Sequence, residues 1–169
     1  MKHLLSLILL SLLATPAQAA GTPIKALITG SGGQARLSDN LFIVSKRTSD
    51  ATYLELAVAV ADQTSGGRIS SLSLFALKDH LKPSELDLLA TNTNRIATSC
   101  FNISPERLMG ISAWLKLLDR QGVREAEANF GPMQVVFKRG RTGDGPYTAV
   151  SMFRTGEPGA APWTKYCRS

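Results

Sequence analysis

The apolar residues of this chain change their spacing several times, and each change marks a different kind of segment. Residues 4–13 are apolar throughout except for Ser6 and Ser11. From residue 20 to residue 77 the apolar positions come in short runs separated by Gly, Ser and Asp. Between residues 84 and 121 they recur at three- and four-residue steps, and from residue 123 the short runs return. Alternate spacing marks a half-buried strand, and three–four spacing marks an amphipathic helix.

The early runs predict four strands, at 24–29, 41–44, 53–61 and 69–77. The third shows the pattern best, with Leu54, Leu56, Val58 and Val60 facing one way and Tyr53, Glu55, Ala57 and Ala59 the other. In the fourth, Leu72 and Leu74 oppose Ser71 and Ser73. Short strands joined by Gly/Ser/Asp turns describe an antiparallel meander. The Gly30-Ser31-Gly32-Gly33 turn lacks the lysine and the helix-opening Ser/Thr of a phosphate loop, and Gln34-Ala35-Arg36 leads into another strand instead.

Two helices follow. Ser84-Glu85-Leu86-Asp87 fits a capping box with Ser84 as the cap and Asp87 reaching back. Leu86, Leu89, Thr93, Ile96 and Cys100 then form one face. Thr91-Asn92-Thr93-Asn94 has poor helix propensity and predicts a weak point there. In the next helix Ser104 caps, Pro105 takes the first position and Glu106 meets the positive end of the dipole. Ile103 and Leu108 occupy the positions of a hydrophobic staple. Leu108, Ile111, Leu115 and Leu118 form its buried stripe, with Trp114 beside it, and Gly122 stops it as a left-handed residue.

An edge strand at 123–130 comes next. Strands at 133–138 and 147–153 form a hairpin around a loop at 139–146, and a Gly/Pro/Ala-rich tail begins at Thr155. The fold class is therefore α+β. An antiparallel sheet of about four N-terminal strands, with two or three more at the C-terminus, carries two central helices packed on one face. An all-β barrel with a long helical excursion is the competing architecture.

The N-terminal apolar run changes the compartment. Lys2 precedes it, Pro16 ends it, and Ala17-Gln18-Ala19 offers a small-x-small cleavage site. These are the parts of a secretory signal peptide, and the run is about half the roughly 20 residues of a spanning helix. The chain then divides into a signal peptide at 1–19 and one exported domain at 20–169, periplasmic or secreted, with no later transmembrane segment. Export separates it from genomic DNA. Losing Lys2 leaves 18 basic residues against 13 acidic, a modest excess favouring an anionic envelope polymer or a protein partner. Much of the excess follows residue 130.

Cys100 and Cys167, with 66 residues between them, are the only cysteines. An oxidising compartment predicts a disulfide that ties the tail to the end of the first long helix. Zinc would need four ligands, and the exported part offers only His80 besides the cysteines. Nothing in the sequence calls for a metal or another cofactor.

Catalytic signals are sparse. His80, between a strand and a helix, is the one imidazole available as a base, and its ordinary reading is a half-exposed junction residue. Glu125 and Glu127 lie too close together on a strand for a glycosidase pair. The feature above background is Lys138-Arg139-Gly140-Arg141, with Arg154 on the returning strand. Basic side chains beside glycine suit phosphate or carboxylate, although basic residues at a strand end also prevent edge pairing. Trp163 and Tyr166 flank Cys167, placed to pack over the disulfide or to stack on a ligand. The expectation is an exported, non-catalytic binding protein using Lys138, Arg139, Arg141 and Arg154. A small hydrolase working from His80 is one alternative, and an enzyme inhibitor presenting the 139–146 loop is another.

Overall fold

The computed structural model describes residues 21–30, 34–38, 41–156 and 163–169. The leader at 1–19 lies outside the described residues, as does most of the early glycine turn. The elements run β1 (Thr22–Pro23), α1 (Ile24–Thr29), β2 (Gln34–Ser38), β3 (Leu41–Arg47), β4 (Tyr53–Gln63) and β5 (Ile69–Ala76). Then come α2 (Pro83–Phe101), α3 (Pro105–Arg120), β6 (Glu125–Phe130), β7 (Met133–Thr142), β8 (Gly145–Arg154) and β9 (Cys167–Arg168). Seven strands form one antiparallel sheet in the order β2-β3-β4-β5-β8-β7-β6, and β1 pairs with β9 in parallel. The fold is α+β, with the helices on the sheet.

Register assigns every strand residue to one of two faces. The row Val44–Leu56–Ala76 and the row Phe42–Val58–Leu74–Val150–Phe137 point to the same side. Those residues are buried, together with Leu86, Leu89, Ile96 and Cys100 of α2 and Ile111, Leu115 and Leu118 of α3. Both long helices therefore place their predicted stripes on this face, where burial of each large apolar side chain contributes roughly 1.5–3 kcal/mol. Leu108 and Trp114 pack at the margin of this core, Trp114 edge-on against Phe130.

Five local expectations are corrected. The run 24–29 is a helical turn and a half, not a strand. Ile24 and Ile28, four residues apart, are both buried, while Lys25 and Ala26 between them are exposed. A six-residue apolar run fits either period, and packing decides. The sheet still has four N-terminal strands because Gln34–Ser38 supplies one.

Helix α2 begins at Pro83, one residue before the expected cap. The side chain that reaches back is Glu85, whose Oε2 accepts the Lys82 backbone N–H at 2.8 Å. The helix also runs unbroken through 91–94. Asn92 and Thr93 are buried and donate to the Leu88 and Leu89 carbonyls at 2.8 and 3.0 Å, so tertiary burial overrides weak propensity. It ends at Asn102 in the left-handed conformation, φ 58°.

At the start of α3, Ser104 occupies the cap position but makes no side-chain bond to the helix backbone. Its hydroxyl instead bonds the Glu106 carboxyl, holding that group below its ordinary range. The fifth correction is the hairpin. β7 and β8 pair continuously out to Thr142 and Gly145, so the connection is the two-residue turn Gly143-Asp144, and most of the 139–146 loop is strand.

The tail is anchored as the cysteines predict. Cys100 and Cys167 are bridged, with Cα atoms 4.7 Å apart. Trp163 is buried and donates its indole N–H to the Cys100 carbonyl at 3.0 Å.

Candidate anion-binding cleft

The inward row of β7 runs Met133, Val135, Phe137, Arg139, Arg141. The first three are core residues, and the row leaves the core where α3 ends. Arg139 stands at that boundary opposite Thr148. Its side chain is only 8% exposed, its Nη2 is paired with Asp119 of α3, and its guanidinium carbon lies 5.1 Å from the Phe137 ring centroid. Asp119 satisfies one edge of the guanidinium, while the buried Nε has no partner. Arg141, two residues further out, is exposed.

Two loops close around this end of the strand. Between β5 and α2, Thr148 donates its hydroxyl to the Lys78 carbonyl at 2.7 Å, fixing the segment that carries Asp79 and His80. After α3, Gly122 takes φ 65° and the chain turns through Arg124, whose carbonyl accepts the Arg139 N–H at 2.7 Å. The result is a cleft of about 340 Å³ lined by Asp79, His80, Gly122, Arg124, Arg139, Gly140 and Arg141. Glycine at 140 leaves room for the Tyr147 ring, whose hydroxyl would lie 2.8 Å from a Cβ there.

Three arginines against Asp79, with Asp119 engaged behind the wall, make the cleft net positive. Arginine presents a planar fork of donors suited to phosphate and carboxylate oxygens. The lining includes no hydroxyl or thiol nucleophile beside His80. Among the described residues no three His, Cys, Asp or Glu side chains converge to hold a metal.

The basic residues singled out in the sequence are thus divided. Arg139 and Arg141 share the cleft. Lys138 points to the opposite face, 3.5 Å from Glu125 across the β6–β7 ladder. Arg154 lies six residues along β8 from Thr148, roughly 20 Å away at strand spacing. There it donates to the Phe101 carbonyl at 2.6 Å and stacks 4.6 Å from the Trp163 ring, and burial lowers its pKa. Tyr166 lies under Arg68, 4.4 Å from its guanidinium carbon. Both tail aromatics therefore pack internally on arginines.

Arg124 joins the cleft without having been singled out as a ligand residue. Its position depends on where α3 ends relative to β7, a long-range relation with no local signature. His80, read from the sequence as a half-exposed junction residue, lines the same cleft beside Asp79. No family model, no curated protein and no solved structure matches the chain, so the cleft is interpreted from its own residues.

Proposed function

We propose that this chain is an exported, non-catalytic binding protein of the periplasm or extracellular space, which holds an anionic group of its ligand against Arg124, Arg139 and Arg141. The observation that carries the reading is Arg139, a guanidinium more than nine-tenths buried and steadied by Asp119, which lines one cleft together with Arg124 and Arg141. An anion arriving there would gain charge-assisted hydrogen bonds from a group whose desolvation has already been met in folding. The ligand class is a phosphate- or carboxylate-bearing envelope component, and the disulfide and signal-like leader support the compartment. Among the described residues no helix is long and apolar enough to cross a membrane.

The inhibitor reading loses its projecting eight-residue loop, since the hairpin closes on two residues. The hydrolase reading keeps His80 in the cleft and is separated by assay. Titration calorimetry with lipopolysaccharide and with inorganic phosphate is expected to show salt-sensitive binding. The double variant Arg124→Ala/Arg141→Ala should weaken it at least tenfold, while Lys138→Ala leaves it within twofold. Equal binding by both variants sinks the cleft. Turnover of a phosphomonoester that disappears in His80→Ala would replace binding by catalysis.

A further inference from the structure

Among the described residues no helix lies on the other face of the sheet, and its two central rows from β3 to β7 carry one charged side chain, Lys138. Its outward rows are Leu41–Ala59–Ser73–Ser151–Val136 and Ile43–Ala57–Phe75–Ala149–Lys138, continued by Phe153 opposite Ser71 and Gln134, and by Tyr53 opposite Arg47. Leu77 follows Phe75 at the end of β5. Of the large apolar side chains that the described residues leave exposed, Tyr53 (65%) and Phe153 (37%) belong to this face by register, and Leu77 (50%) lies one residue past the end of β5. Soluble antiparallel sheets ordinarily alternate apolar-in with polar-out. Here the central outward positions are Ala, Ser, Phe, Ile, Leu and Val.

From these rows we infer that the face is the contact surface of a homodimer, two sheets stacked about a two-fold axis. Three observations select a second copy of this chain over other occupants. First, the centre is mostly small: Ala57, Ala59, Ser73, Ala149 and Ser151 surround Phe75, which packs edge-on against Tyr147, and leave room for a facing sheet at the roughly 10 Å separation of stacked sheets. The Ser73 and Ser151 hydroxyls bond each other at 2.7 Å, so the polar atoms at the centre are already engaged.

Second, the charges suit self-contact. The chain carries +6 overall, whereas the charged side chains described on this face are Arg47 and Lys138 against Glu55, Asp62, Glu125 and Glu127. With both signs present, two copies can meet with the basic residues of one facing the carboxylates of the other. The same balance disfavours an anionic lipid surface, which needs a basic face. Third, the area suffices. Five strands at about 4.8 Å, each with four or so outward positions, present roughly 600 Å² per copy, or about 1,200 Å² for a pair, the lower end of a stable specific interface.

The test is sedimentation velocity of the purified protein from about 1 to 200 μM, at low and high salt. A dimer that persists or tightens with salt is expected. Leu77→Lys/Phe153→Lys, at two exposed positions, should weaken it at least 100-fold. Met109→Lys/Leu117→Lys, on the exposed side of α3, should leave it unchanged. Retained circular dichroism and an unchanged melting temperature show that the face variants still fold, and a variant that loses its fold passes the test to single Leu77→Ser and Phe153→Ser changes. A monomer across the range overturns the inference, as does a dimer indifferent to the face variants. Face-dependent binding to phosphatidylglycerol vesicles by a monomeric wild type overturns it in favour of lipid. The cleft lies on the helix side of the sheet, so its ligand binding survives either result.

Discussion

Lys46 shows how a single residue can run against its own chemistry. It occupies an inward position of β3, 2% exposed, and donates to Asn92 Oδ1 at 3.0 Å. Burial, and secondarily the charge of Arg95, lower its pKa from 10.5 to about 8. The unfolded chain therefore holds the proton across the interval in which the folded chain releases it. Stability climbs as pH rises from about 8 to about 10.5 and declines as pH falls back through that window. Urea unfolding of Lys46→Met should show a flatter slope across the window, by on the order of 1–3 kcal/mol. Parallel curves for the two proteins would disprove this account. In the sequence Lys46 is only the charged residue ending an apolar run. The same blindness separates Lys138 from Arg139: they are neighbours in the chain, but strand alternation sends one outward to Glu125 and the other inward to Asp119.

At the scale of elements, α3 was the most legible, because staple, proline and stop residue lie within one local stretch. Its Ser104 capping bond was not realised, although the helix starts where the residues predicted. Helix α2 was legible in its buried stripe and misplaced in its start. Glu85 explains the difference, being buried under Lys78 Nζ at 2.5 Å and holding the Lys82 N–H. Burial pushes the Glu85 carboxyl upward, but hydrogen bonds from Lys78 and the Lys82 backbone, reinforced by their charges, bring it below its ordinary 4.5. The stability it contributes is therefore complete above about that pH and disappears as acid carries the solution through its lower folded-state value. Glu85→Gln should cost about 1–3 kcal/mol near neutrality and lose most of that deficit at acid pH, measured by thermal melts at pH 7 and pH 3. A deficit unchanged by acid would mean that packing rather than charge is responsible. For α1, two isoleucines four apart in a six-residue run carried too little pattern to separate helix from strand.

For the whole molecule, the bridge between Cys100 and Cys167 joins the end of α2 to β9, which pairs with β1 at the start of the described chain. Closing a loop of this length contributes roughly 4 kcal/mol through the unfolded state. Reduction, or Cys100→Ala/Cys167→Ala, should lower unfolding stability by a similar amount and expose Trp163, seen as a red shift of its fluorescence. An unshifted spectrum would show that Arg154 and the Cys100 carbonyl hold the tail without the bridge. By itself the sequence determined the α+β class, the apolar stripes of both long helices, the order of most strands and the pairing of its two cysteines. Each of these follows from local periodicity or from there being a single possible partner. Only the tertiary structure decided that Arg124, Arg139, Arg141 and His80 share a cleft, that Arg154 belongs to the tail's anchor, and that among the described residues no helix covers one face of the sheet. Those relations depend on which strands neighbour one another and where a helix stops above them, distances that no short window of residues encodes.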